Sequence, residues 1–477
     1  MSTNPTPVAR TTVAGARTRL LVPTLLFTAL VVAAVGSLGA PLITSVATTF
    51  HVSLAAAQWT LTITLLVGAV ASPLLGRLGA GPHRREAILA TLVVVVAGSV
   101  LTVLPLPFTC LLIGRAAQGA GLGLTALMMG VARDHLPTHR AGGVIALVSV
   151  ASTVGIGVGY PLAGRLTDVA GVRAAYTLGL VVTALALLAA WFSLPAVPAG
   201  RTSRLDIPGT LLLSGGLLAI LVNASQTSLW REHLGIALGL AGAAALLIAG
   251  WVSRELHTDT PLVDIRLLRH PAVAGANLTM ALGGVGMYLL LTLLTRFAQT
   301  PESAGYGFGL SVFEAGLTLV PFSVMGFVAG RLHPKISTRF GARTTLATSS
   351  ATILAAFLVL LPAHTSVIEI LTAQAILGFG VGAFSAAMPA VILTVTPAAE
   401  TSSAMAFNQV VRSVGFSFGS AIGGLVLAAH TPTAQNFPTN HGYTVAAATG
   451  MAIMTLTILT AVTVVRAGHT QHPTDPA

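Results

Sequence analysis

Arg115 lies inside the apolar run Phe108–Val131 and Arg412 inside Ala404–Ala428, with no acidic residue in either run. A guanidinium at hydrocarbon depth is costly unless it is partnered, so both are candidates for function. The competing role is an interhelical hydrogen-bond staple. The two arginines are expected at corresponding places in the two halves of the chain. The amides Gln118, Gln374, Asn408 and Gln409 also sit in apolar runs. With the arginines they suggest a central cavity that holds positive charge and no carboxylate. Arginine pairs well with carboxylates and phosphates, so a neutral or anionic amphiphile is the expected small-molecule partner. A proton carrier needs a group that titrates as its surroundings alternate between wet and dry. Of the thirteen acids, only Glu314 and Glu369 fall in expected spans, each about a turn from the outer end, and no histidine lies in mid-membrane.

The elements that position these residues follow from composition. Only 8% of residues are charged and 54% are hydrophobic, which places the chain in a lipid bilayer. Its apolar runs last ~20 residues without in-and-out alternation, so the spans are helices and not barrel strands. About fourteen spans are expected. Under that alternation Arg165, Arg173, Arg231 and Arg296 fall on one side, and every other basic residue outside the membrane falls on the opposite side. Both termini are therefore expected in the cytoplasm. The net charge of +11 resides in short loops and forms no continuous basic face, so no nucleic-acid partner is expected. The first apolar run is too long for the core of a cleavable signal peptide. The single Cys110 excludes an internal disulfide, and Pro137 interrupts the helix that would align His135 with His139 on a metal, so no metal is expected.

Two parts of the chain echo each other. Gly76-Arg77-Leu78 recurs as Gly330-Arg331-Leu332, the glycines at 119, 121 and 123 recur at 378, 380 and 382, and Gly155, Gly159 and Gly164 recur as Gly415, Gly419 and Gly424. Ordered matches at nearly constant offset imply a duplicated six-helix unit, an arrangement common in transporters. The expected organisation is a cytoplasmic tail (1–19), an N-terminal six-helix bundle (20–193) and a linker with two extra helices (194–252). A cytoplasmic connector (253–271), a C-terminal six-helix bundle (272–466) and a cytoplasmic tail (467–477) complete it. Small-x3-small pairs such as Gly155/Gly159 allow helix backbones close approach, and Pro161 weakens its helix to leave a bend or gate.

These residues resemble the major facilitator superfamily, in particular its fourteen-helix drug:proton antiporter branch. Arg115-Ala-Ala-Gln118-Gly-Ala-Gly121 is similar to the fourth-helix RxxQGxG motif, and Val154–Gly164 to the fifth-helix antiporter motif, with Tyr160 inserted where Gly-Pro is usual. Gly76-Arg77-Leu78 with Arg84 and Arg85 resembles the cytoplasmic gating loop, whose second copy includes Arg339 and closes with Gly341-Ala342-Arg343. Gln58-Trp59-Thr60 and Glu314-Ala315-Gly316 with Pro321 fit the same branch, and Trp59 is expected at the cavity. The loop's acidic position is Ala80 in one copy and Thr338 in the other, and the first helix lacks the family's aspartate. The resemblance implies an all-helical secondary transporter in a bacterial inner membrane. It would export hydrophobic small molecules by alternating access against proton entry, with no cofactor beyond the proton gradient, as a monomer. An uncoupled facilitator or lipid-like carrier is the alternative. A receptor or an intramembrane enzyme fits less well, because the loops are too short for an output domain and no His, Asp, Ser and Cys cluster lies at depth.

Overall fold

The structure, a computed structural model, describes residues 15–52, 54–79, 83–195, 206–225, 230, 233–258, 265–266, 271–361, 366–393, 401–432 and 437–463. Ala80, both chain ends and most of the 253–271 connector lie outside them.

Among the described residues the chain is helical, with no strand. Thirteen stretches are long and apolar enough to cross a bilayer, and the shorter apolar helix Ile207–Asn223 completes the expected fourteen. In chain order the first span is Gly15–Ser37 continued by Gly39–Phe50, the second Leu54–Gly79 and the third Arg84–Val103. The fourth comprises Phe108–Ala120, a 3-10 turn Gly121–Gly123 and Leu124–His135. Thr138–Ala170, Val172–Ser193, Ile207–Ser225, Leu234–His257 and Pro271–Gln299 are spans five to nine. The tenth is Val312–Leu317 plus the start of Leu319–Leu360, and the eleventh is the remainder of that helix. Val367–Leu393, Thr401–Ala429 and Asn440–Thr463 close the series.

Breaks in these helices have local causes. The first span is interrupted at Leu38, between Gly36 and Gly39 and just before Pro41, which has no backbone N–H to return to Ser37. The Leu38 amide instead makes a tight turn onto the Val35 carbonyl at 3.3 Å. Spans ten and eleven are two helices that meet at Gly341, whose non-helical φ of 78° and ψ of 158° suit glycine alone. The expected loop there is replaced by helix running past the apolar stretch, which carries Arg331, Lys335 and Arg339.

Packing repeats between the halves. The first span lies on the fifth as the ninth lies on the thirteenth, and the third contacts the sixth as the eleventh contacts the fourteenth. Between the halves, the second span meets the thirteenth as the tenth meets the fifth. Individual contacts fix the register. A Cβ on Gly119 would meet the Thr64 carbonyl at 2.3 Å and one on Gly378 the Phe322 carbonyl at 2.1 Å. Thr60 bonds the Ala57 carbonyl and Thr318 the Ala315 carbonyl, each at 2.7 Å. Gly155 sits against the Leu30 carbonyl of the first span, and Gly415 against the Ala281 carbonyl of the ninth.

That register corrects two sequence expectations. Arg115 and Arg412 are not counterparts: the partner of Arg115 is Gln374, and that of Arg412 is Ser152. The match of Gly76-Arg77-Leu78 with Gly330-Arg331-Leu332 is also about one helical turn out of register, because Gly76 falls opposite Pro334. The two faults differ in origin: the arginines lie on the fourth and thirteenth spans, which are not equivalent helices, whereas a glycine beside an arginine recurs at turn spacing and can align with the wrong turn.

Spans seven and eight pack on each other, and span seven docks on spans two and thirteen. Leu213, Leu217, Trp251 and Val410 form a separate apolar cluster there, and the Trp251 ring stacks on Phe407 at 6.3 Å.

Candidate functional site: a polar cavity between the halves

Arg115 is fully buried and makes four hydrogen bonds. Its Nη1 donates to the Val35 carbonyl at 2.8 Å and to Gln118 Oε1 at 2.7 Å, Nη2 to the Gly36 carbonyl at 3.0 Å, and Nε to the Thr60 carbonyl at 3.0 Å. Two acceptors are the carbonyls where the first span breaks, the negative end of a half-helix dipole. Partial charges therefore balance this cation where no carboxylate stands. Gln118 Nε2 passes the network on to Ser99 Oγ at 3.0 Å in the third span. The Tyr176 ring lies 6.0 Å from the guanidinium, and Gly39 leaves it room, since a Cβ there would approach Nη2 to 2.9 Å. The expectation that Arg115 faces a central cavity is thus corrected: it ties spans one, two and four together from inside.

Arg412 is placed differently. It is partly exposed within the thirteenth span and, among the described residues, makes no hydrogen bond or ion pair. Its guanidinium lies 5.7 Å from the Phe416 ring, and Phe416 stacks on Tyr288 of the ninth span at 5.1 Å with planes 25° apart.

A cavity of about 790 Å³ begins at that stack. One wall is the second span (Gln58, Leu61, Thr62, Leu65), and opposite stand Tyr288 and Arg296 of the ninth span with Ser413, Phe416, Ser417 and Ser420 of the thirteenth. Leu221 of the seventh span closes a side, and Phe437 and Pro438 stand at the arginine-poor end. None of its lining residues is acidic. At the arginine-rich end the halves meet: Arg133 donates to Thr401 Oγ1, and Ala146, Val150 and Val154 of the fifth span pack with Ala386 of the twelfth.

The expected cavity residues do not line this space. Trp59 is half-buried beside Gln58, which takes the lining position because one helix step turns the face by ~100°. Asn408 is buried and donates to Asn277 Oδ1 at 3.1 Å across the ninth–thirteenth interface. Gln409 is buried one turn below Ser413, and Gln374 is buried with neither amide atom bonded.

Most gating-loop residues are built into the bundle. Arg84, at the start of the third span, donates to the Gly79 carbonyl and pairs with Asp134 at the end of the fourth. Arg85 caps the sixth span through the carbonyls of Trp191, at 3.0 Å, and Leu194, at 3.1 Å. Gly76 and Arg77 are buried, and Gly330 is pressed against Val150. Arg331 and Arg339 are exposed over Phe327 and Phe340, and Arg343 is half-buried. Gly159, like Gly155, faces the first span, whereas Pro161 abuts Gly316 and Gly164 abuts Phe313 of the tenth.

Both expected proton carriers are helix caps. Glu314 Oε2 accepts from the Ser311 amide at 2.8 Å while Ser311 Oγ accepts from the Glu314 amide at 3.2 Å, a complete capping box. Glu369 accepts from the Ser366 amide at 3.4 Å. The spacing Ser-x-x-Glu precedes both helices and signals this role in sequence. A different acid was missed: Glu255, assigned to the solvated connector, continues the eighth span at 1% exposure and accepts from Trp251 Nε1 at 2.8 Å. Its signal was the apolar helix period running through Trp251 and Val252.

The Major Facilitator Superfamily sequence profile matches residues 25–336 and, a second time, 278–476. The chain belongs to this superfamily. Among its relatives is the MFS-type transporter YvkA of Bacillus subtilis, 24% identical over 86% of this chain and 91% of that one. The puromycin resistance protein pur8 of Streptomyces alboniger is 29% identical over 74% of this chain and 72% of its own. The solved proton:xylose symporter XylE shares the fold, with a TM-score of 0.62 at 16% identity, covering 94% of this chain and 95% of that one. The protein is accordingly a multi-pass membrane transporter of the major facilitator type.

Proposed function

We propose that this transporter exports hydrophobic small molecules, drug or metabolite, by alternating access against proton entry across a bacterial inner membrane, with both termini cytoplasmic. The observation that carries the reading is the cavity between the halves, which reaches the arginine-poor end while Arg133, Thr401 and the Val150–Ala386 packing close the other. With the arginine-rich end cytoplasmic, this is an outward-facing state. The similarity to a puromycin resistance protein supports a drug-like cargo. Purified protein in liposomes, given tritiated puromycin and an imposed pH gradient, tests it. Accumulation that follows the gradient and collapses with a protonophore supports antiport. Equilibration without accumulation overturns the coupling.

A second reading, an uncoupled facilitator, is favoured by the absence of acid from the cavity lining and by the capping roles of Glu314 and Glu369. Against it stands Glu255, a buried carboxyl on the eighth span that holds Trp251, whose ring stacks on Phe407 of the thirteenth. Under the antiport reading Glu255→Gln abolishes gradient-driven accumulation while counterflow exchange of puromycin survives.

A further inference from the structure

The face of the thirteenth span that lines the cavity advances through Ser420, Ser417, Phe416 and Ser413 at helical spacing. One turn from Phe416 toward the arginine-rich end, the helix carries Arg412 directly below that ring, as i and i+4 neighbours. Between cavity and guanidinium stands the Phe416–Tyr288 stack. A cation inside a membrane protein normally finds a counter-charge or carbonyl acceptors. Arg115 shows the satisfied form, with four acceptors, whereas Arg412 has none among the described residues and keeps partial exposure. At the mouth, Arg296 adds a second positive group to a lining with no acid.

We propose that the cavity binds amphiphilic organic anions, whose carboxylate or phosphate docks on Arg412 once the Phe416–Tyr288 stack parts, while the apolar body lies along Leu61 and Leu65 of the second span. The guanidinium fork offers two parallel N–H donors to such a headgroup, and low-dielectric walls strengthen the pairing. Arg296 draws the anion to the mouth by long-range attraction. The inference deepens the exporter reading, because it takes the same cavity as the cargo path and names the cargo's charge.

The test uses three labelled compounds on one apolar scaffold: naphthylacetate, its neutral amide, and the matching naphthylmethyl-trimethylammonium. Binding is measured calorimetrically on the full chain in nanodiscs, and flux is measured separately in liposomes. The wild-type protein binds the acetate most tightly. Arg412→Gln weakens acetate binding at least tenfold and leaves the amide unchanged, and Arg412→Lys recovers part of the loss. Phe416→Ala speeds acetate association. Preference for the ammonium, equal loss of all three ligands in Arg412→Gln with Arg412→Lys no better, or binding of none of them overturns the proposal. Acetate-selective binding without flux of any compound sinks the exporter reading and leaves the anion site standing. Flux of all three without charge preference does the reverse.

Discussion

Replacing Arg115 by alanine tests whether this cation holds the first bundle together. The substitution leaves the Gly36 carbonyl and Gln118 Oε1 without their donor, while Val35 keeps the Leu38 amide at 3.3 Å and Thr60 keeps Thr64 Oγ1 at 2.9 Å. Two orphaned acceptors cost about 2–6 kcal/mol at soluble-protein values, whereas four lost bonds at the bacteriorhodopsin average give about 2.4 kcal/mol. Removing a buried charge returns part of its desolvation cost, so the net loss is expected near the low end, about 2 kcal/mol. Lysine is no remedy, because one ammonium cannot reach the first-span break and the Thr60 carbonyl together as the planar fork does. Thermal unfolding in detergent, followed by size-exclusion loss, reads the stability, and flux of the proposed cargo in liposomes reads function. Both Arg115→Ala and Arg115→Lys melt below the wild type and lose flux. An alanine variant with wild-type melting and wild-type export refutes the role assigned to the network.

Gly341→Ala places a side chain at φ 78°, ψ 158° and costs roughly 1–3 kcal/mol, read as an earlier melt. Glu314→Gln and Glu369→Gln keep their helix caps and the wild-type melt, because glutamine serves the same capping box, whereas Ser311→Ala costs about 0.5–2 kcal/mol. Tyr306, in the ninth–tenth connection, donates its phenol proton to the Pro438 carbonyl just before the fourteenth span, and burial pushes its pKa up to about 12. Its neutral form stabilises the fold, so that contribution is complete below pH ~10 and fades between about 10 and 12. Tyr306→Phe removes this alkaline loss, and melting curves across that range check it.

Fold class and span number were legible because bilayer thickness dictates the length of an apolar run and arginine marks its ends. The glycine pairs were equally legible as close-packing faces, as Gly155 and Gly415 show. Charge balance was not. Nothing local to Arg115 announces that two acceptors of its guanidinium are backbone carbonyls far back in the chain, at a break that Gly36, Gly39 and Pro41 create together. The cavity was misplaced for a related reason: polar residues at depth were taken as lining, yet Asn408 is spent on Asn277, while the observed wall is made of serines and threonines that blend into an apolar run. Glu314 and Glu369 were readable as caps from Ser-x-x-Glu, and the scarcity of other membrane acids drew attention away from that signal.

The extra helical pair changes how a compound gains entry. With Leu221 forming part of the chamber's flank and span seven, with span eight packed on it, seated over the seam between spans two and thirteen, that seam is shuttered from the surrounding lipid. A greasy solute dissolved in the bilayer meets helix in place of an opening at that seam, so enrichment of a ligand in the lipid is expected to leave its apparent affinity unchanged on this flank.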